Sequence, residues 1–200
     1  MALSEQINLT ADQLAPFAKL PMPFDWQQVS MQLNHADKRH ISYCFVVQTD
    51  MGEQSVGTVA FDKTDVPRFY EQNGIVQTID GVHWEQAIVM HDEEGVHYGA
   101  YGLTMAGVLA VSRHLCEAGL QNDVLMVRTD ESNIAAQKFY RKAGLVWHPE
   151  FQPYADKKGH TELIPTPGRV LKTTLAESVK GMEKYRRTNV ALPKMLARGR

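Results

Sequence analysis

The 200-residue sequence predicts a mixed α/β (α+β) fold, a mixed and mostly antiparallel sheet with helices on its faces. Runs rich in Val, Ile, Phe and Tyr alternate with helical patterns along most of the chain. The composition, 44% hydrophobic and 22% charged, is that of an ordinary folded domain. A short turn joins the first two strand-like runs and makes them antiparallel neighbours. The expected element order is α–α–β–β–β–α–β–α–β–β.

The N-terminal half supplies two helical patterns and three strands. The helical patterns cover residues 10–20 and 25–36, with the breaker Pro-Met-Pro-Phe between them. Residues 40–49 and 55–63 are rich in β-branched and aromatic side chains and flank a glycine-bearing turn, so they predict a hairpin. Residues 83–90, His-Trp-Glu-Gln-Ala-Ile-Val-Met, predict the third strand.

The C-terminal half alternates strands with helices. A glycine-bearing loop leads into an apolar helix over 103–119, which Gly119 closes. Residues 123–129 predict the fourth strand, and a second helix begins soon after it. Strand patterns at 145–151 and 168–175 complete the sheet.

Charge divides the chain into two parts. Residues 166–200 hold nine basic and two acidic residues, a net charge of +7, whereas the other 165 residues carry 12 bases and 21 acids, a net charge of −9. We therefore expect a domain over 1–165, whose last strand extends to about 175, and a basic C-terminal extension over 176–200. The extension suits an acidic protein, nucleic acid or an acidic patch on another subunit, with a solvated tail as the alternative. A homo-oligomer is left open.

The sequence lacks the residues that several classes of protein require. No apolar run is long enough to span a membrane and the first residues do not resemble a leader peptide, so a cytoplasmic protein is expected. Cys44 and Cys116 lie in apolar runs and predict core thiols. His91 and His97 share one loop without a third histidine, so no metal is expected. Residues 99–102 do not form a dinucleotide-binding fingerprint.

One side of the second helix carries a distinctive set of residues. Asn133, Ala136, Tyr140 and Gly144 are spaced by three, seven and eleven residues from the first, so they lie close to one stripe. This pattern resembles the segment after the fifth strand of the GNAT superfamily, the acetyl-CoA-dependent N-acetyltransferases. The resemblance is strongest over residues 84–150. Gly144 equally suits a helix stop.

The resemblance implies a GNAT-like sheet whose two central strands splay apart to admit the pantetheine arm of acetyl-CoA. The backbone of Ile88 and Met90 would pair with that arm, Asn133 would hydrogen-bond to it, and Ala136 would leave it room. Tyr140, whose phenol is protonated at neutral pH, would protonate the leaving thiolate as general acid. The residues alone allow Asn133 equally to be a helix N-cap, and the alternative for Tyr140 is a buried structural tyrosine.

The same resemblance predicts a phosphate-binding loop before the apolar helix. In the best register the loop consists of six consecutive residues: His97, Tyr98, Gly99, Ala100, Tyr101 and Gly102. Histidine replaces the Arg or Gln of the family, and alanine replaces its inner glycine. Backbone N–H groups at the helix N terminus, together with a protonated histidine, would bind the pyrophosphate.

The predicted reaction transfers an acetyl group from acetyl-CoA to a primary amine of a small molecule or protein. A base must take a proton from the amine; Glu85 on the third strand is the first candidate, with His91, Asp92 and Glu93 as alternatives. The alternative function is a catalytically silent GNAT-like interaction or assembly module, for example within a larger particle, that uses its basic tail. The altered loop favours the module, and the intact stripe favours the enzyme.

Overall fold

The structure is a computed structural model. It describes residues 3–64, 68–72, 75–79, 83–90, 92–93, 96–129, 132–147, 152–156, 163–165 and 169–197. None of the helices in these ranges is both long and apolar enough to cross a membrane.

The described residues form strands and helices in alternation. The strands are β1 (Gln6–Asn8), β2 (Gln28–Ala36), β3 (His40–Thr49), β4 (Gly52–Thr64), β5 (Arg68–Gln72), β6 (Ile75–Ile79), β7 (His83–Met90), β8 (Asp92–Glu93), β9 (Val96–His97), β10 (Val124–Thr129), β11 (Val146–Trp147), β12 (Gln152–Asp156), β13 (Leu163–Pro165) and β14 (Arg169–Thr174). The helices are α1 (Ala11–Leu14), α2 (Leu103–Leu115), α3 (Ile134–Lys142) and α4 (Leu175–Ala197). A 3-10 turn, Tyr98–Tyr101, precedes α2.

The main sheet has eight strands in the order β1-β2-β3-β4-β7-β10-β14-β11. Strands β7 and β10 are parallel, and the other neighbours in this sheet are antiparallel. A second sheet has the order β13-β12-β5-β6, and β8 pairs with β9. The predicted fold class, a mixed and mostly antiparallel sheet with flanking helices, is confirmed.

Helix α2 covers one face of the main sheet. A Cβ atom at Gly107 would lie 2.3 Å from Cε1 of Phe45, so glycine allows α2 to approach β3 closely. Tyr43 and Phe61 on the same sheet are fully buried. The predicted hairpin is confirmed as β3 and β4, and the predicted apolar helix is α2 with a further turn that Gly119 ends at φ 90°.

Helix α4 belongs to the body of the domain. Leu175 and Met182 are fully buried, and Arg113 of α2 forms an ion pair with Glu183 of α4. The sequence places residues 176–200 in a separate basic extension. The structure instead packs the start of that segment on α2, because its apolar residues recur at helical spacing and need a surface to bury them.

Two other elements differ from expectation. The second predicted helix, 25–36, is strand β2, whose Val29 and Met31 are buried and whose backbone forms a ladder with β3. Antiparallel pairing with the neighbouring strand β3 and burial of one side of β2 override the local helical pattern. Helix α4 continues past Pro193 to Ala197, although an interior proline removes one backbone hydrogen bond and usually ends or kinks a helix.

Candidate active site

The two parallel strands of the main sheet separate towards their carboxyl ends. The ladder between β7 and β10 covers three residue pairs and ends at Glu85 and Met126. Beyond this point β7 remains paired with β4 as far as Met90, and β10 remains paired with β14 to its last residue. The facing edges, residues 86–90 and 127–129, therefore form an opening that we call the fork. This is the splay that the resemblance implies.

The fork lies where a ligand is expected in such a sheet. Both α2 and α3 follow the carboxyl ends of the separating strands, and ligands of open α/β sheets bind in the crevice outside those ends. Alternate backbone groups along a strand edge point towards the opening and are available to a ligand. Ile88 and Met90, the predicted backbone partners, both lie on the β7 edge of the fork and are half-buried.

A groove of about 360 Å³ lies at the starts of α2 and α3. Gly102 and Met105 at the start of α2 form one wall, and Ile134 and Ala135 at the start of α3 form another. The first N–H groups of a helix have no partner within the helix and carry its positive partial charge. The groove therefore lies at the positive ends of two helices, although at α3 the N–H groups of Ile134, Ala136 and Gln137 already have partners within the chain.

Three lysines, Lys19, Lys138 and Lys142, line the same groove, and no carboxylate is among its described lining residues. Tyr185 of α4 closes one end, where Lys142 Nζ lies 4.7 Å from its ring centroid and the ring of Phe17 stacks on it at 6.1 Å. We call this site the lysine groove. Its positive charge suits a ligand that bears phosphates.

Residues 14–20, near the N terminus, pack against one side of the predicted phosphate-binding loop. Gly102 has φ 84°, and a Cβ atom there would lie 2.5 Å from the carbonyl oxygen of Leu14. The carbonyl of Ala100 accepts hydrogen bonds from the N–H groups of Lys19 at 2.7 Å and Leu20 at 3.2 Å. Glycine is thus required at 102 for contact with the turn after α1.

The two tyrosines of this loop are structural. Tyr98 and Tyr101 are both buried against Trp26, with ring centroids 6.0 and 4.9 Å away. Gln54 Nε2 donates a hydrogen bond of 3.2 Å to the Tyr98 hydroxyl. Gly99 and Gly102 nonetheless line the lysine groove with their other sides. The loop is therefore fixed on one side by packing and open on the other.

The stripe on α3 serves several structural purposes. The side chain of Asn133 accepts a hydrogen bond of 2.9 Å from the N–H of Ala136, so the N-cap interpretation is confirmed. Gly144 has φ 81° and ends the helix, and a Cβ atom there would lie 2.9 Å from the carbonyl oxygen of Glu177 on α4. Helix α4 therefore packs along the end of the stripe. Neither Asn133 nor Ala136 lines the groove, and their contacts with a cofactor stay predictions.

Tyr140 is buried, with 8% of its surface exposed, and burial raises its pKa to about 12. Within the described parts of the chain, its hydroxyl has no hydrogen-bond partner. The phenol is thus protonated and able to donate, as a general acid must be.

The predicted base is not placed by the structure. The backbone of Glu85 lies in the last residue pair before the fork, but its side chain is outside the described residues. The same holds for the side chains of His97, Asp92 and Glu93 and for the whole of His91. Where side chains are described, no group of three or more His, Cys, Asp or Glu residues is placed to hold a metal ion.

The sequence analysis missed the three lysines of the groove. Lys138 and Lys142 are four residues apart on α3, a spacing that puts them on one side of the helix, opposite the predicted stripe. This spacing could have been recognised from the sequence. Lys19 reaches the groove only because the turn after α1 lies on the α2 loop, and no local pattern indicates such a contact.

No family model and no curated protein matches the chain. Among solved structures, it is similar to an uncharacterized protein from Bacillus halodurans, with 10% identity, coverage of 76% of this chain and 68% of that chain, and a TM-score of 0.49. A domain from Methanocaldococcus jannaschii has 13% identity, 84% and 96% coverage, and a TM-score of 0.42. A chimera of the spermidine N-acetyltransferase SpeG from Vibrio cholerae and hSSAT has 13% identity, 88% and 99% coverage, and a TM-score of 0.43. These three similarities concern the backbone shape alone and do not indicate an activity.

Proposed function

We propose that the protein is an N-acetyltransferase that moves an acetyl group from acetyl-CoA to a primary amine of a small molecule or protein. One observation carries the proposal: the two parallel strands separate into a fork beside a lysine-lined groove at the starts of the two helices that follow them. The fork suits an extended chain that carries amides, and the groove suits a polyanion.

The described residues fit acetyl-CoA. Lys19, Lys138 and Lys142 would hold its phosphates, and the backbone of Ile88 and Met90 at the fork would pair with its pantetheine amides. When bound, acetyl-CoA supplies an acetyl group activated as a thioester. The residues of the chain would orient that group, exclude water, and donate and accept the protons.

Two protons move in such a reaction. Tyr140 keeps the proton on its hydroxyl across the physiological range, because burial raises its pKa to about 12. It donates a hydrogen bond, and then the proton, to the thiolate that leaves as the carbon–sulfur bond breaks. A base, for which Glu85 is the first candidate, accepts one proton from the amine as the carbon–nitrogen bond forms. One proton enters and one leaves, so exchange with solvent restores the starting state.

Thermal denaturation with and without acetyl-CoA tests the proposal. A ligand at one hundred times its Kd stabilises the native state by about 2.7 kcal/mol, which raises Tm by roughly 5–10 °C in a protein of this size. Free adenine, which lacks the phosphates, serves as the control and should leave Tm unchanged. No shift at millimolar acetyl-CoA would refute the enzyme.

Turnover then tests the proposed acid. We expect Tyr140→Phe to slow the release of CoA thiol, measured across a panel of primary amines, by about 10²-fold or more while the Tm shift with acetyl-CoA persists. The phenyl ring keeps the buried contacts of Tyr140, so a loss of activity would reflect the missing hydroxyl. Equal rates in the two proteins would remove the acid role.

One observation favours the alternative, a catalytically silent interaction or assembly module. The turn after α1 donates two backbone hydrogen bonds to Ala100, so one side of the predicted phosphate loop is occupied by the chain itself. A module of this kind would leave Tm unchanged at any acetyl-CoA concentration. It would then act through the exposed basic residues of α4, among them Lys184 and Arg187, on an acidic protein or nucleic acid.

A further inference from the structure

Gln86 is a buried polar residue whose side-chain nitrogen is unpaired within the part of the chain that the structure describes. Only 7% of its surface is exposed, and within the described residues its side-chain nitrogen Nε2 makes no hydrogen bond. A primary amide nitrogen carries two N–H donors, and leaving such donors buried and unpaired destabilises a fold. An unpaired donor at a buried position therefore calls for an acceptor that the chain itself does not supply.

Gln86 stands at the vertex of the fork. The last pair of the β7–β10 ladder is Glu85 with Met126, so Gln86 is the first residue of β7 beyond it. On β10 the corresponding position is Val127, which is buried in the core. A ligand group at the inner end of the fork would therefore lie next to the side chains of Gln86 and Val127.

The register places the Gln86 side chain on the helix side of the sheet. In the antiparallel ladders Gln86 lies opposite Phe61, and Phe61 lies opposite Ile41; all three are buried. Met90, four residues further along β7, shares this face and lies in register with Gly57 and Phe45, against which α2 packs. The neighbours of the amide on the sheet are thus apolar and offer it no acceptor.

The direction of ligand entry brings an acceptor to this position. Helices α2 and α3 follow the two fork strands and their first turns line the lysine groove, so the groove lies beyond the carboxyl ends of these strands and would hold the anionic end of an acyl carrier. The opposite end, which bears the acyl group, must then extend inward to the vertex. A thioester carbonyl oxygen is an acceptor, and it gains negative charge when an amine attacks the carbonyl carbon.

We infer that Gln86 Nε2 donates a hydrogen bond to the carbonyl oxygen of the acyl group in the fork; this inference rests on the proposed function. The buried amide positions the acyl group, and its hydrogen bond becomes stronger as negative charge develops on the carbonyl oxygen. It also makes the site selective for carriers that have an oxygen at this point.

Binding of two carriers tests the inference without any need for an acceptor. Acetyl-CoA is compared by calorimetry with S-ethyl-CoA, a thioether of similar size in which a methylene replaces the carbonyl. We expect the natural protein to bind acetyl-CoA about five- to tenfold more tightly, the fold-change that one hydrogen bond confers. Gln86→Met, which keeps the length of the side chain but removes the donor, should bind the two equally.

Ser112 provides the matched control. It is fully buried on α2, and its hydroxyl likewise has no hydrogen-bond partner among the described residues, but it does not lie on a fork strand. Ser112→Ala should keep the preference for acetyl-CoA. Gln86→Leu is a second variant in case Gln86→Met does not fold, and melting curves of each variant establish folding.

The outcomes separate this inference from the proposed function. A preference that disappears in the Gln86 variant and persists in Ser112→Ala supports the hydrogen bond. Equal binding of both carriers by the natural protein, or a preference that survives in Gln86→Met, overturns the inference but leaves the acetyltransferase intact. Failure of the natural protein to bind either carrier overturns both.

Discussion

The two strand-to-helix junctions beside the lysine groove are built in different ways. The junction before α2 depends on distant parts of the chain: Gly102 contacts the backbone of Leu14, and Tyr98 packs on Trp26. The junction before α3 is local, because Asn133 caps its own helix. Residues of the first junction therefore stabilise the fold in addition to any contact with a ligand. Substitutions there should change stability strongly, while those at the second should act mildly.

The largest effect is expected at the first junction. Gly102→Ala places a Cβ atom at positive φ and 2.5 Å from the carbonyl oxygen of Leu14, so we expect a loss of about 3 kcal/mol in the free energy of unfolding. Gly119→Ala is the matched control, since its φ is also positive, at 90°, but no atom lies within 4 Å of the added Cβ. It should cost about 1 kcal/mol. Equal losses in urea denaturation would show that the α1 contact contributes nothing.

The second effect concerns the buried end of α3. Burial raises the pKa of Tyr140 from 10 to about 12 in the folded protein. The corresponding stability is complete below pH 10 and is lost as the pH rises through 12, and a shift of this size is worth about 2–3 kcal/mol. Between pH 10 and 12 the natural protein should therefore lose about that much more stability than Tyr140→Phe. Parallel stability curves for the two proteins would contradict the burial of this hydroxyl.

The third effect compares binding at the two junctions. Lys138 and Lys142 line the groove on the α3 side, so replacing both with Gln should weaken acetyl-CoA binding at least tenfold at low salt, and less at high salt. Lys180 and Lys184 on the exposed side of α4 provide the charge-matched control, and their replacement with Gln should leave affinity nearly unchanged. Calorimetry at two ionic strengths measures both. Equal losses in the two double variants would mean that net charge, and not the groove, holds the ligand.

The smallest effect tests how local the second junction is. Asn133→Ala removes the cap of α3 and should cost about 1 kcal/mol in the free energy of unfolding, whereas Asn133→Asp should retain most of it. Denaturant titration measures the change. If Asn133→Ala left stability intact but abolished acetyl-CoA binding, the cofactor contact predicted for Asn133 would be its principal role.

The site was predictable from the sequence where neighbouring residues build it. The separating strands and the N-cap at Asn133 agree with the sequence analysis, and the pair Lys138 and Lys142 could have been found from its helical spacing. Lys19 and Gln86 could not. Lys19 reaches the groove through a contact between distant segments, and the unpaired state of Gln86 depends on every side chain around it.

Four features are readable in local sequence patterns: the hairpin, the apolar helix α2, the helix stops at Gly119 and Gly144, and the mixed character of the sheet. These features follow from periodicity and turn chemistry, which act over a few residues. Three others come from contacts between elements: residues 28–36 form a strand, α4 packs on the body, and Gly102 faces α1. The strand depends on pairing with the neighbouring β3, whereas the packing of α4 and the contact at Gly102 depend on residues far along the chain, which leave no local pattern in the sequence.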